Sequence, residues 1–149
     1  MTEVFTQIVQ NKIFMTTLSA WIIAQTIKVT TGVIRQRKFD FRWFVGTGGM
    51  PSAHASGASC LATAIGLEYG FNSPYFALAA SFAIVVMFDA QVVRRATGKQ
   101  ARILNKITED IYWRGRIEDS RLRELVGHTP IEVIAGFILG TLIAIVAQR

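Results

Sequence analysis

The chain has 149 residues, 51% of them hydrophobic and 17% charged, with sixteen Lys and Arg against ten Asp and Glu and a mean hydropathy of +0.36. An average soluble domain is about 25% charged, so the length predicts one domain over residues 1–149 whose surface is too apolar for water. The composition excludes disorder, a coiled coil and, with Cys60 the single cysteine, a disulfide scaffold. A net charge of +6 could suit a nucleic-acid binder, but the bases occupy the gaps between long apolar runs, so no nucleic acid is expected as partner.

A bilayer crossing needs roughly 20 mostly apolar residues. The first such run is residues 13–34, interrupted by Lys28. No secretory signal is expected, because the residues before this run lack a basic segment and no cleavage pattern follows it. After it come Arg35, Arg37, Lys38 and Arg42, and then Gly46-Thr47-Gly48-Gly49-Met50-Pro51-Ser52-Ala53-His54. Pro51 and Ser52 are placed to start a helix, and the second run, residues 52–70, is rich in Ala, Gly and Ser, as closely packed membrane helices are. Pro74, after Asn72-Ser73, predicts another helix start, and the third run, residues 75–93, carries Asp89. A long segment of mixed charge follows, suited to one or two amphipathic helices at the interface. The fourth run is residues 131–148, opened by Thr129-Pro130 with Glu132 in register for a capping box. The expected fold is all-α: an integral membrane bundle of about four transmembrane helices plus an interfacial amphipathic helix in the long cytoplasmic loop.

Thirteen of the sixteen basic residues fall in the loops after the first and third runs. Four alternating spans place both loops on one side, and the positive-inside rule makes that side cytoplasmic. Both termini are then extracytoplasmic. Ionisable groups at membrane depth are costly and face a partner or a polar cavity. Lys28 is open to two readings, snorkelling to the headgroups or facing such a cavity, and Asp89 to pairing with Lys28 or with Arg94.

The two histidines, His54 and His128, both stand near helix starts beside glycines, on the side of the basic loops. A helix start offers free N–H groups to an anion. Glu132 lies four residues after His128, where it can orient the imidazole, cap the helix, or do both. Two His with Asp89 and Glu132 could also hold a divalent ion, but the dense Lys and Arg around them repel a cation and suit an anion, so no metal and no cofactor is expected.

These residues together resemble the type 2 phosphatidic acid phosphatase superfamily, which shares its site with vanadium-dependent haloperoxidases and carries Lys-x6-Arg-Pro, Pro-Ser-Gly-His and Ser-Arg-x5-His-x3-Asp. Lys28 and Arg35 have the first spacing, with Gln36 in place of proline. Pro51-Ser52-Ala53-His54 matches the second motif with Ala for Gly, and His128-x3-Glu132 resembles the end of the third with Glu for Asp. Six residues separate Arg121 from His128 and four separate Arg123 from it, rather than five. Phe88 to Gln100 and Leu125 to Gly136 are similar to the superfamily's divergent branch of small membrane proteins. The resemblance covers about residues 28–140, and four spans would make a smaller core than the six usual there.

The resemblance implies a metal-free phosphomonoesterase acting on a lipid or polyprenyl phosphate in the membrane. His128 would be the nucleophile, forming a phosphohistidine, with Glu132 orienting it and His54 as the acid and base. Lys28, Arg35 and Arg123 or Arg121 would bind the phosphoryl oxygens, with Ser52 and Ala53 completing the cradle at the cytoplasmic face. Arg94 or Arg95 could replace the shifted arginine, with Asp89 their partner or that of Lys28. The alternative is a catalytically inactive relative that binds an anionic lipid or assists assembly of another membrane protein. The small-residue face of the second run (Ala53, Gly57, Ala64) suits a homo-oligomer as well as internal packing.

Overall fold

The computed structural model describes residues 1–37, 49–112 and 128–149. Those residues form helices: α1 (Thr2–Gln10), α2 (Lys12–Gln36), α3 (Ala53–Tyr69), α4 (Pro74–Phe88), a π-helical turn (Asp89–Val93), α5 (Arg94–Tyr112) and α6 (Pro130–Ala147). No strand occurs among them. The protein is an all-helical integral membrane protein. Three helical stretches, Lys12–Ile34, Pro74–Val92 and Pro130–Ala147, are long and apolar enough to cross a membrane.

The helix starts follow the local chemistry of the chain. Asn11 caps α2, its side chain accepting from Phe14 N–H at 3.0 Å. Ser52 caps α3 through Ala55 N–H at 3.3 Å, and Ser73, before Pro74, caps α4 through Phe76 N–H at 3.2 Å. At α6, Thr129 Oγ1 accepts from Glu132 N–H at 3.4 Å while Glu132 Oε2 accepts from Thr129 N–H at 3.0 Å, the reciprocal capping box. Each bond satisfies an amide that the first helical turn leaves without a partner.

α3, the second run of the sequence, is the centre of the bundle and packs against α2, α4 and α6. It has 17 residues, ten of them buried, all Ala, Gly, Ser or Cys. Small side chains let backbones approach closely, which is how helices associate where lipid removes the hydrophobic drive between them. Cys60 and Ala64 pack with Ala20 and Ala144, and Ala58 and Ala62 with Ala79 and Ala83. A Cβ on Gly140 would collide with the Ser56 carbonyl and Ser59 Oγ, and one on Gly136 with the Ser52 carbonyl. Hydroxyls staple the same contacts: Ser59 Oγ donates to Phe137 O at 3.1 Å and Ser56 Oγ to Ala20 O at 3.2 Å. Ala53, Gly57 and Ala64 are thus used within the bundle. Large apolar side chains point outward instead, Leu78, Val85, Ile131 and Val146 among them, as a lipid-facing surface requires.

Two features differ from the sequence reading. The third run does not end in a loop; α4 continues through the π-helical turn into α5 without a break. The polarity changes at Asp89, but residues 89–97 contain no glycine or proline to stop a helix. α5 shows Ile103, Leu104 and Ile107 beside Lys99, Arg102 and Lys106, all exposed, the make-up of an amphipathic helix. The sequence reading also passed over α1, where Val4, Phe5, Ile8 and Val9 form an exposed apolar stripe.

Candidate active site

The residues singled out by their chemistry gather where α3 and α6 begin and α4 ends. His128 sits one residue before the α6 cap and is buried, at 3% exposure. Its Nδ1 lies 3.0 Å from Glu132 Oε2. A carboxylate only accepts, so this pairing puts the proton of the neutral imidazole on Nδ1 and leaves the lone pair on Nε2. The His128 backbone is held as well, its N–H donating to Ala90 O at 3.0 Å. Ala90 lies within the π-helical turn, whose wider winding changes the hydrogen-bonding register of the helix.

His54, in the first turn of α3, faces the same place. The two imidazole centroids are 6.5 Å apart with the rings tilted by 60°, and His54 is exposed where His128 is buried. A buried, oriented imidazole beside an exposed one is an arrangement able to serve nucleophilic attack and proton transfer.

Ser52 joins the two helix starts. It is fully buried, and its N–H donates to Glu132 O at 3.0 Å while its hydroxyl caps α3. Of the groups expected in a phosphate cradle, the amide is therefore engaged in holding α3 to α6, and the hydroxyl accepts from the first turn of α3 itself. The N–H groups of the first turn of α3 that a helix start leaves without a helical partner begin at buried Ala53. Lys28 approaches from α2. Gly49, with φ +90°, lies against its stem, and a Cβ there would stand 3.0 Å from Lys28 Cγ and 3.1 Å from Cδ. The structure thus brings Lys28, Gly49, Ser52, His54, Ala90, His128 and Glu132 to one end of the bundle.

Of the other expected residues, Asp89 opens the π-helical turn next to Ala90. Arg35 lies in the last turn of α2, and Arg94 and Arg95 open α5. Arg121 and Arg123 lie outside the described residues. Sequence reasoning missed Ala90 because a carbonyl carries no side-chain signal. It noted Gly49 only as one of three loop glycines, and Gly136 only as part of an apolar run.

An all-helical membrane protein with a carboxylate-oriented histidine, a second histidine facing it and a lysine at the same end has the make-up of the phosphatidic acid phosphatase type 2 class. The sequence matches the Divergent PAP2 family over residues 9–143, and the chain belongs to that family. It is 38% identical over 151 residues to the uncharacterized membrane protein YuiD of Bacillus subtilis (strain 168), covering 94% of this chain and 96% of that protein. No solved structure matches it.

Proposed function

We propose that this protein is a metal-independent phosphatase that hydrolyses a lipid or polyprenyl phosphate monoester through a phosphohistidine. The observation that carries the reading is the Glu132–His128 pair facing His54. In the first step His128 Nε2 bonds to phosphorus as the ester P–O bond breaks, and His54 delivers a proton to the departing alkoxide. Glu132 holds the Nδ1 proton and balances the charge that the imidazole acquires. In the second step His54 takes a proton from water, whose oxygen attacks phosphorus and breaks the P–N bond, releasing inorganic phosphate. Lys28, with Arg35 and one of Arg94, Arg95, Arg121 or Arg123, holds the phosphoryl oxygens, where fixed positive charge in a poorly hydrated site stabilises the transition state.

The test is phosphate release by purified protein from phosphatidate and isoprenyl phosphates, with an alkaline denaturing quench to preserve a phosphoramidate. Wild type is expected to turn over substrate and to carry quenchable phosphate. His128→Ala should lose both by at least a thousandfold. Equal behaviour of the two proteins on every substrate would end the enzyme reading.

The engagement of the Ser52 amide and hydroxyl, together with the double use of one Glu132 oxygen, favours a second reading: a relative that binds an anionic lipid without turnover. Vanadate binding lost in Lys28→Ala, with no phosphate release by wild type, supports that alternative.

The reading also places the site at the cytoplasmic face, with both termini extracytoplasmic, on the strength of the basic loops. Cys60, the single cysteine, is buried, so cysteines introduced at Glu3 and Lys99 report independently. A membrane-impermeant thiol reagent applied outside intact cells should label the first and spare the second.

A further inference from the structure

A cavity of about 700 Å³ lies between α2, α3 and α4, far from the histidines, lined by Asn11, Phe14, Thr17, Leu61, Ile65 and Tyr69, among others. Its residues follow the stripe of the helices that carries the site. Helical residues turn by about 100° each, so those 7 and 11 apart point within roughly 20° of one another. Leu61 and Ile65 therefore share the face of His54 on α3, and Thr17 shares the face of Lys28 on α2. On α3 this stripe runs between two packed seams. Gly57, Cys60 and Ala64 meet α2 on one side, and Ala58 and Ala62 meet α4 on the other. Between them His54 is exposed and Leu61 and Ile65 are half-buried, so a track of α3 surface runs from His54 to the residues that line the cavity.

The length of that track identifies what fits it. At ~1.5 Å per residue, Leu61, Ile65 and Tyr69 lie ~10, ~16 and ~22 Å along α3 from His54. On α2 the cavity residues lie in the first turns of the membrane span, while Lys28 lies in its last third. The hydrocarbon core is about 30 Å thick, so the cavity spans the midplane and reaches into the leaflet opposite the histidines. Tyr69 and Tyr75, with ring centroids 5.5 Å apart, and Asn11 line its far end with the polar-tipped groups that occupy a membrane boundary. A diacyl lipid keeps its tails within its own leaflet, whereas one long, narrow chain can cross the midplane.

Building on the phosphatase reading, we infer that this cavity holds the distal end of a single long hydrocarbon tail whose phosphate sits between His54 and His128. The substrate class is then the phosphate monoester of a long isoprenoid-type alcohol rather than a two-chain glycerol lipid. The track separates the headgroup chemistry from a ruler for chain length. Ile65 of α3 and Thr17 of α2 both line that ruler.

The experiment uses full-length protein in nanodiscs and isoprenyl monophosphates of two to eleven isoprene units, with dioleoyl phosphatidate as the two-chain comparison. Non-hydrolysable phosphonates carrying a photoreactive group at the far end of the chain complete the set. kcat/KM is expected to rise at least tenfold from the shortest chain to those that reach Ile65, and to exceed that for phosphatidate at least tenfold. Ile65→Trp should reduce the long-to-short ratio about tenfold. In wild type, which needs no substitution to fold, the photolabel should fall on peptides containing Ile13–Thr17 or Leu61–Tyr69. A flat chain-length profile, equal use of phosphatidate, or label elsewhere overturns the inference. Absent turnover with label in the cavity refutes the phosphatase reading while leaving the tail site standing.

Discussion

Glu132 Oε2 lies 3.0 Å from His128 Nδ1 and also 3.0 Å from Thr129 N–H. One carboxylate oxygen therefore orients the buried imidazole and closes the helix cap beside it. The two duties are separable by mutation. Glutamine serves at this position of a capping box, so Glu132→Gln should leave the unfolding temperature nearly unchanged. It lacks the charge that supports a developing imidazolium, so kcat should fall by roughly 10²–10⁴. Thr129→Ala should do the reverse, costing about 1 kcal/mol of stability with a much smaller effect on turnover. Thermal unfolding in detergent, paired with phosphate release, reads both variants.

Gly49 is built around Lys28. Its φ of +90° is one that a Cβ disfavours, and the added methyl group would press on the lysine stem. Gly49→Ala should therefore lose roughly 1–2 kcal/mol of stability from backbone strain. It should also weaken vanadate binding about tenfold, by displacing a charge-assisted contact. Titration with vanadate checks this, and binding equal to wild type would show that Lys28 does not depend on the contact.

Gly136 and Gly140 set the approach of α6 to α3. Gly140→Ala meets the Ser56 carbonyl and Gly136→Ala the Ser52 carbonyl, obstacles of backbone rather than of flexible side chain. Each should cost about 1–3 kcal/mol, the usual range for overpacking. Gly136→Ala should in addition lose activity out of proportion, because Ser52 N–H holds Glu132 O. Equal activity per folded molecule in the two variants would disconnect that hydrogen bond from the site.

Ser59→Ala removes the 3.1 Å bond to Phe137 O. Interhelical hydrogen bonds within membranes average about 0.6 kcal/mol and reach about 1.7, so the loss should fall in that range. It should be well below the loss from Gly140→Ala in the same unfolding assay, since the substitution leaves the packing of α3 on α6 intact.

The elements themselves were legible residue by residue. Ser73-Pro74 and Thr129-Pro130 with Glu132 announced two helix starts, and apolar runs located α2, α4 and α6 to within a few residues. Those signals are local: a cap reaches three residues along the chain, and a run needs only its own composition. For the same reason the motifs Lys28-x6-Arg35, Pro51 to His54 and His128-x3-Glu132 pointed to the family before any contact was known. Glycine and serine in α3 also announced close packing, though not which helices it meets.

Tertiary structure alone decided the rest. It put the π-helical turn where the Ala90 carbonyl meets His128 N–H, laid Gly49 on Lys28, and engaged the Ser52 amide with α6. It also left a cavity between α2, α3 and α4. Each of these pairs groups that are distant along the chain, and carbonyls, amides and glycines leave no side-chain trace of their partners. Composition and local caps determined that this chain would be a bundle of membrane helices with its reactive groups near helix ends. The distance between two imidazoles came from how closely small residues allow those helices to approach.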